Sequence, residues 1–351
     1  MQQRTHSASS VPWLTLFFDL IVVTVVSRAT SVYESNPTWQ TVGFVFVTML
    51  VIYVIWAITT LELMLSHKET WPRRILVMIQ VFALLIAALA MYRGGGISDR
   101  WGFVALCVAF ASVSALSWIR ARESHADIRW ARQISRVMLL ASAIFGFGSL
   151  FPMGATINDS GFLVAWIFYP LGTVVATLGA LFWAPRLLVS PTSLSEKQTQ
   201  ERFGVLLLVV LGDTFLLLTE AVGSQRLIPD ITYFALTVIV VFVIWSLYFP
   251  TLSKVESPRT LRKAIAQVLA HFLLFLSSSL TVVAYVGMAT EAESASSADH
   301  AVTGASSVWS VLPLLGIALA ILWLTWLRRS AWSASVTSHA VATLGLLVVY
   351  V

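Results

Sequence analysis

Runs of about twenty residues with almost no charge recur from one end of this chain to the other, and a run of that length and polarity crosses the hydrocarbon core of a bilayer as a helix. They fall near 12–32, 40–61, 75–92, 101–119, 134–154, 161–184, 203–223, 231–250, 264–289, 308–327 and 331–351. Only helices and closed barrels satisfy every backbone N–H and C=O in lipid, and these runs lack the alternation of barrel strands. The expected fold is therefore all-α, a polytopic transmembrane helical bundle of about eleven spans, within a range of roughly ten to twelve. Composition agrees, since 11% of the residues are charged and 58% hydrophobic, against about 25% charged in a soluble domain. Too little polar surface exists to face water all round. The lipid bilayer is the first expected partner.

Positive charge orients the chain. Of the 22 Lys and Arg residues, only Arg93, Arg100 and Arg226 fall in loops on the side opposite the N-terminus, and Arg28 lies within a span. The rest sit at the N-terminal end or in loops on the same side. Lys and Arg accumulate on the cytoplasmic side of membrane proteins, so the expected location is the cell membrane, multi-pass, with a cytoplasmic N-terminus. A cleavable signal peptide is not expected, because Asp19 and Arg28 interrupt the first apolar stretch and no small-residue cleavage pattern follows. An apolar run closes the sequence at Val351, which leaves room for a further span beyond it. The net charge of +5 follows from topology, and the dispersal of the cations over short loops argues against nucleic acid as a partner.

Two halves echo each other. Val54-Ile55-Trp56 matches Val243-Ile244-Trp245, Arg73-Arg74 matches Arg262-Lys263, and Leu84-Leu85 matches Leu273-Leu274, all at an offset of 189. Weak self-similarity of this kind marks transporter repeats. Span one then corresponds to span seven, an even displacement, so the repeats run parallel. The expected division is a first membrane repeat over 1–184, a cytoplasmic linker over 185–202 rich in Pro and Ser, and a second repeat over 203–351. Pro170 and Gly172 interrupt span six, as in a kinked or a broken helix.

Charged groups at mid-bilayer cost on the order of 2.5–3.5 kcal/mol on insertion scales, so those that persist face the bundle interior. Asp19, Arg28, Asp213 and Glu220 fall within spans, as do His271 and His339. Thr15, Asp19 and Thr30 share one helical face, while Arg28 lies on the opposite one, so Asp19 and Arg28 do not pair with each other. Glu220 is level with Arg28 near the outer ends of their spans. The two are a candidate ion pair, unless each snorkels to the interface. Asp213 and His271 stand at comparable depth, and Gln267, His271, Ser278 and Tyr285 form a polar stripe on an apolar helix. A buried carboxylate near an imidazole can share or pass a proton; the alternative is an interhelical hydrogen bond that only helps packing.

Several classes drop out. No phosphate-binding loop of the G-x-x-x-x-G-K type occurs, and no H-E-x-x-H, G-x-S-x-G or C-x-x-C, each of which would carry its own chemistry. With Cys107 as the sole cysteine, an intramolecular disulfide and a cysteine-rich metal site are excluded. Neither a cofactor nor a resident metal is expected.

Three local patterns resemble a known family. Trp13-Leu14-Thr15-Leu16-Phe17-Phe18-Asp19-Leu20 is similar to the opening L-E-L-F-F-D-L signature of the bacterial low temperature requirement A (LtrA) family. Glu201-Arg202-Phe203-Gly204, followed by Val210-Leu211-Gly212-Asp213, resembles its E-R-F-G…L-G-E segment. Trp245-Ser246-Leu247-Tyr248-Phe249 and then Ala270-His271 resemble its W-x-L-Y-F and A-H pair. The resemblance implies a multi-pass membrane protein named for growth in the cold, and it supplies no substrate. Thr15 and Asp213 stand where the family pattern has Glu, and Pro250 where an Asp is common, so the full acidic set is not retained.

The expected function is that of a secondary transporter or channel-like permease for a small solute or ion, with Asp19, Asp213, His271, Glu220 and Arg28 on its pathway. Two other classes compete with it. A membrane-embedded enzyme acting on a lipid would use Asp19, Asp213, Glu220 and His271 for acid–base work, though no nucleophile or metal cluster accompanies them. A non-catalytic scaffold or regulator would need no buried site.

Overall fold

A computed structural model of the chain describes residues 13–35, 39–66, 70–90, 100–123, 128–151, 160–189, 196–224 and 260–297, with further helical residues between 235 and 249. The long helices are α1 (Trp13–Ser35), α2 (Trp39–Met64), α3 (Trp71–Ala90), α4 (Arg100–Glu123), α5 (Ile128–Gly148), α6 (Ser160–Val189), α7 (Glu196–Ser224) and α8 (Leu261–Ser297). No strand occurs among the described residues. The runs at 308–327 and 331–351, together with His339, lie outside them.

Six of these helices are long and apolar enough to cross a membrane, namely α1, α2, α3, α4, α6 and α8. Past Leu216 the side chains of α7 lie outside the described set. Arg129, Arg132 and Arg136 occupy the first turns of α5 and lower its apolar character. α2 is rich in Val, Ile and Thr, residues that form helices grudgingly in water. In lipid the alternative is an unsatisfied backbone, a far larger penalty, so the segment is helical regardless. The same reasoning covers α6, which runs unbroken through Pro170 and Pro185.

The exterior differs from that of a water-soluble bundle. Phe82 is 62% exposed, Ile167 60% and Leu139 57%, whereas Asp19, Thr59, Gln80 and Ser117 are fully enclosed. Apolar side chains thus cover the outside as well as filling the core, while polar ones meet one another inside. Thr59 donates to Gln80 Oε1 at 2.9 Å between α2 and α3, and Thr48 and Tyr169 join α2 to α6 at 3.1 Å. Tyr53 donates to the Val268 carbonyl at 2.9 Å, which ties α2 to α8.

At the end of the bundle that carries Arg73 and Arg120, a buried ion pair closes α2 against α4. Arg120 binds Glu62 through Nε and through Nη2, the latter at 3.0 Å, and Ser117 donates to Glu62 Oε1 at 2.8 Å. Both charged side chains are almost wholly enclosed, 4% and 2% exposed. Beside them Arg73, itself buried, reaches Glu123 on α4. Sequence position alone assigns Glu62 and Arg120 to the loop ends of their spans, and neither is singled out there. The bundle instead draws them inward, because a two-pronged guanidinium satisfies both carboxylate oxygens at once.

Close helix contact elsewhere depends on missing side chains. A Cβ on Gly172 of α6 would stand 2.7 Å from the ring of Phe145 on α5. Phe145 cannot retreat, since it is fully buried and stacked on Phe110 with centroids 5.4 Å apart.

Two outcomes are expected in detergent unfolding. Glu62→Gln leaves Arg120 an uncompensated buried cation and lowers stability by about 3–5 kcal/mol, while the Glu62→Gln/Arg120→Met pair recovers part of that loss. Gly172→Val overpacks the α5–α6 contact and lowers stability by about 1–3 kcal/mol; an unchanged unfolding midpoint in either single variant would contradict the packing described.

Candidate functional site

Asp19 lies in the second turn of α1, a helix of Val, Leu and Phe with no other acidic residue until Glu34. Its neighbours Phe18 and Val22 are fully buried, whereas Phe17 and Leu20 are largely exposed, so the helix turns its carboxylate away from lipid. Asp19 is fully enclosed. Trp56 on α2 donates its indole N–H to Asp19 Oδ1 at 2.6 Å, and the Arg202 guanidinium on α7 stands with Nη1 3.9 Å from Oδ2. That last distance is an ion pair but not a hydrogen bond. Accordingly Asp19 Oδ2 and Arg202 Nη1 are both buried and hydrogen-bonded to nothing among the described residues.

Aromatic rings carry the site on to α8. Trp56 packs on Phe203 with centroids 5.5 Å apart, and Phe203 packs on the His271 imidazole at 4.2 Å. Tyr248 meets the same imidazole edge to face at 5.8 Å. His271 Nδ1 donates to the Gln267 carbonyl at 2.7 Å. This bond fixes the tautomer when the ring is neutral and leaves Nε2 as the free acceptor. Nε2 and the Tyr248 hydroxyl are buried without partners among the described residues.

The residues named from sequence divide. Asp19 and His271 fall in one aromatic-walled cluster, with Phe18 packed behind Asp19 and with Gln267 and Ser278 of the polar stripe buried on α8. Asp213 goes elsewhere. It is hydrogen-bonded by Ser27 of α1, whereas His271 is level with Phe203, ten residues earlier on α7 and about 15 Å along its axis. The expected pairing of Asp213 with His271 therefore joins two different levels of the bundle. Gly212, beside Asp213, is exposed. Arg28 is also exposed, and the side chains of Glu220 and Tyr285 lie outside the described residues. Glu201 points outward and Gly204 is buried.

Sequence reasoning missed the role of Arg202. The apolar boundary at 203 puts the residue in the linker, one place short of span seven. In the structure α7 begins at Glu196, so Arg202 already stands two turns inside the helix and is 6% exposed. The signal that would have found it is the motif set itself. Asp19, Arg202, Phe203, Tyr248 and His271 come from four segments, all of which carry the family resemblance, and all meet at one point. Thr15, standing where the family pattern has Glu, is buried one turn before Asp19.

What the arrangement can do chemically follows from its open valences. A carboxylate oxygen and a guanidinium nitrogen face each other across a gap without bonding, and an imidazole nitrogen and a phenol lie beyond a shared ring. Such a site can accept a proton, or a small polar group alongside Asp19 and Arg202, without first breaking a hydrogen bond. The profile of the family described as bacterial low temperature requirement A protein (LtrA) matches residues 10–351. No curated protein matches, nor does any solved structure. The match covers nearly the whole chain, and the protein is a member of the LtrA family of membrane proteins.

Proposed function

We propose that the chain is a secondary transporter or channel-like permease in which Asp19 and Arg202, with His271 beside them, form the site that takes up and releases a proton or small ion. The observation that carries this reading is the pair of buried, oppositely charged atoms 3.9 Å apart that bond to each other neither directly nor through a third described residue. A carboxylate retained in lipid is costly, and such groups mark ion and proton pathways. A purely structural pair would be expected to close, as Glu62 and Arg120 do.

The wider architecture proposed is an eleven-span bundle of two parallel repeats, 1–184 and 203–351, joined by a linker over 185–202, in the cell membrane with a cytoplasmic N-terminus. Parallel repeats are supported by two contacts between α1 and α7. Asp19 meets Arg202 and, further along both chains, Ser27 meets Asp213, so the two helices run in the same direction. Repeats related in this way occur in transporters.

Flux across proteoliposomes, screened over protons, alkali ions and small metabolites, tests the site. Asp19→Asn keeps the Trp56 hydrogen bond and removes the charge, and the flux it supports is expected to fall to that of empty liposomes while the unfolding midpoint moves little. Full flux through Asp19→Asn would take the pair out of the mechanism. Orientation is tested separately in a Cys107→Ser background. Cysteines at Ser124 and Ser257 should react with an impermeant thiol reagent only from the cytoplasmic side, and one at Ser98 only from outside; the reverse pattern would invert the topology.

A further inference from the structure

Among the described residues a cleft of about 70 Å³ opens between α2, α6, α7 and α8. Its walls are almost all carbon, with Ala57, Leu181 and Phe272 on three of the helices. Space for one water needs roughly 15 Å³ by the same measure, so the cleft admits about five water-sized groups, enough for a stretch of hydrocarbon chain. Water is a poor filler of an apolar space of this kind.

Three polar donors stand immediately behind the carbon lining, on residues that border the cleft. Thr60 on α2, Thr177 on α6 and Arg202 on α7 all line the cleft, and Thr60 Oγ1, Thr177 Oγ1 and Arg202 Nη1 are all buried without a hydrogen-bond partner among the described residues. This is not how threonines in these helices ordinarily behave. Thr173 and Thr214 return their hydroxyls to the carbonyls of Tyr169 and Val210, four residues back. The two threonines that forgo this bond, together with the one unbonded guanidinium nitrogen, leave three donors without an acceptor among the described residues. Asp19 at 3.9 Å and Glu201 nearby balance the charge of Arg202, yet neither accepts from Nη1.

We propose that this cleft binds an anionic amphiphile, with its hydrocarbon chain along the α2–α6–α8 wall and its acidic oxygens taken by Arg202, Thr60 and Thr177 as these side chains turn from behind the lining to meet them. A hydrocarbon alone would leave all three donors unmatched. A zwitterionic headgroup would bring its own cation to an arginine. A carboxylate or phosphate ester on an acyl chain matches both the walls and the donors, and such a group comes either from a free fatty acid or from an anionic membrane lipid. The site shares Arg202 with the ion site but does not rest on the transport reading, because occupancy is measured without flux.

The test places the full chain in nanodiscs with trace photoactivatable acyl chains carried by a free fatty acid, by phosphatidylglycerol or by phosphatidylcholine, and maps the label by peptide. Labelling at 177–185 and 268–272 is expected to be several-fold higher with one or both acidic probes than with phosphatidylcholine, and the stronger acidic probe identifies the source. Ala180→Phe, which fills the cleft, should abolish that labelling, and Arg202→Gln should erase the preference for acidic probes. The unfolding midpoint of each variant is followed in parallel. Should Arg202→Gln fail to fold, the Ala180→Phe result decides. Equal labelling by phosphatidylcholine, enrichment no greater than at the lipid-facing Phe82 and Leu139, or an unlabelled cleft would each overturn the proposal.

Discussion

Taking the Asp19 carboxylate out of water obliges other parts of the chain to come to it. A buried, ionised carboxylate without partners is too costly to persist, so α1 can seat Asp19 inward only if donors arrive from neighbouring helices. Trp56 brings α2 and Arg202 brings α7. The aromatic rings that exclude solvent around them, Phe203 and then His271 and Tyr248, bring α8 and the helical segment near 248. Segments more than two hundred residues apart in sequence are thereby gathered at one point. Apolar packing alone does not impose that choice, because in lipid one hydrocarbon face exchanges for another at little cost.

The two buried acid–base pairs of the bundle differ in kind. Glu62 and Arg120 are matched prong for prong, with Ser117 supplying a further donor. Every oxygen of that carboxylate is occupied, and the pair behaves as a clasp between α2 and α4. Around Asp19 the matching is incomplete, with one oxygen bonded to Trp56 and the other facing a guanidinium across 3.9 Å. Low dielectric makes an unmet polar group expensive. The chain that builds the closed clasp at one end of α2 leaves the pair on α1 and α7 open, and that contrast is what the proposed ion site rests on.

Much of the helical skeleton could be read from sequence because lipid simplifies the problem. Long uncharged runs have one backbone solution, and residues such as Val and Pro that blur helix prediction in water do not alter it. The inward seat of Asp19 was equally plain from the penalty on charge in hydrocarbon. Depth was the weak step. Counting from an apolar boundary at 203 places Asp213 at mid-span beside His271. The helix in fact starts at Glu196, because Gln198, Thr199 and Gln200 continue it before the apolar stretch begins. Phe203 and Arg202, not Asp213, therefore stand at the level of His271. Apolar runs report where lipid begins, and helices do not have to begin there. The Glu62–Arg120 clasp escaped notice for a related reason, since charges at span ends read as loop residues until a partner on another helix is known.

Arg202 stands where the two open features of the bundle meet, with Asp19 on one side and the apolar cleft on the other. Its guanidinium has a fixed fork of donors, so an acceptor entering from the cleft and the carboxylate of α1 draw on the same Nη1. Strengthening one contact weakens the claim of the other. Because the unbonded nitrogen is already buried, completing either contact requires no new desolvation of the cation, and the difference between the two arrangements is set mainly by which acceptor is present. In the proposed readings, neutralising Asp19 would remove its pull on the guanidinium, and an anion in the cleft would compete with that pull. By linkage the two effects are equal and reciprocal. In the proposed readings, one arginine thus joins a buried carboxylate on α1 to the occupancy of the cleft between α2, α6, α7 and α8.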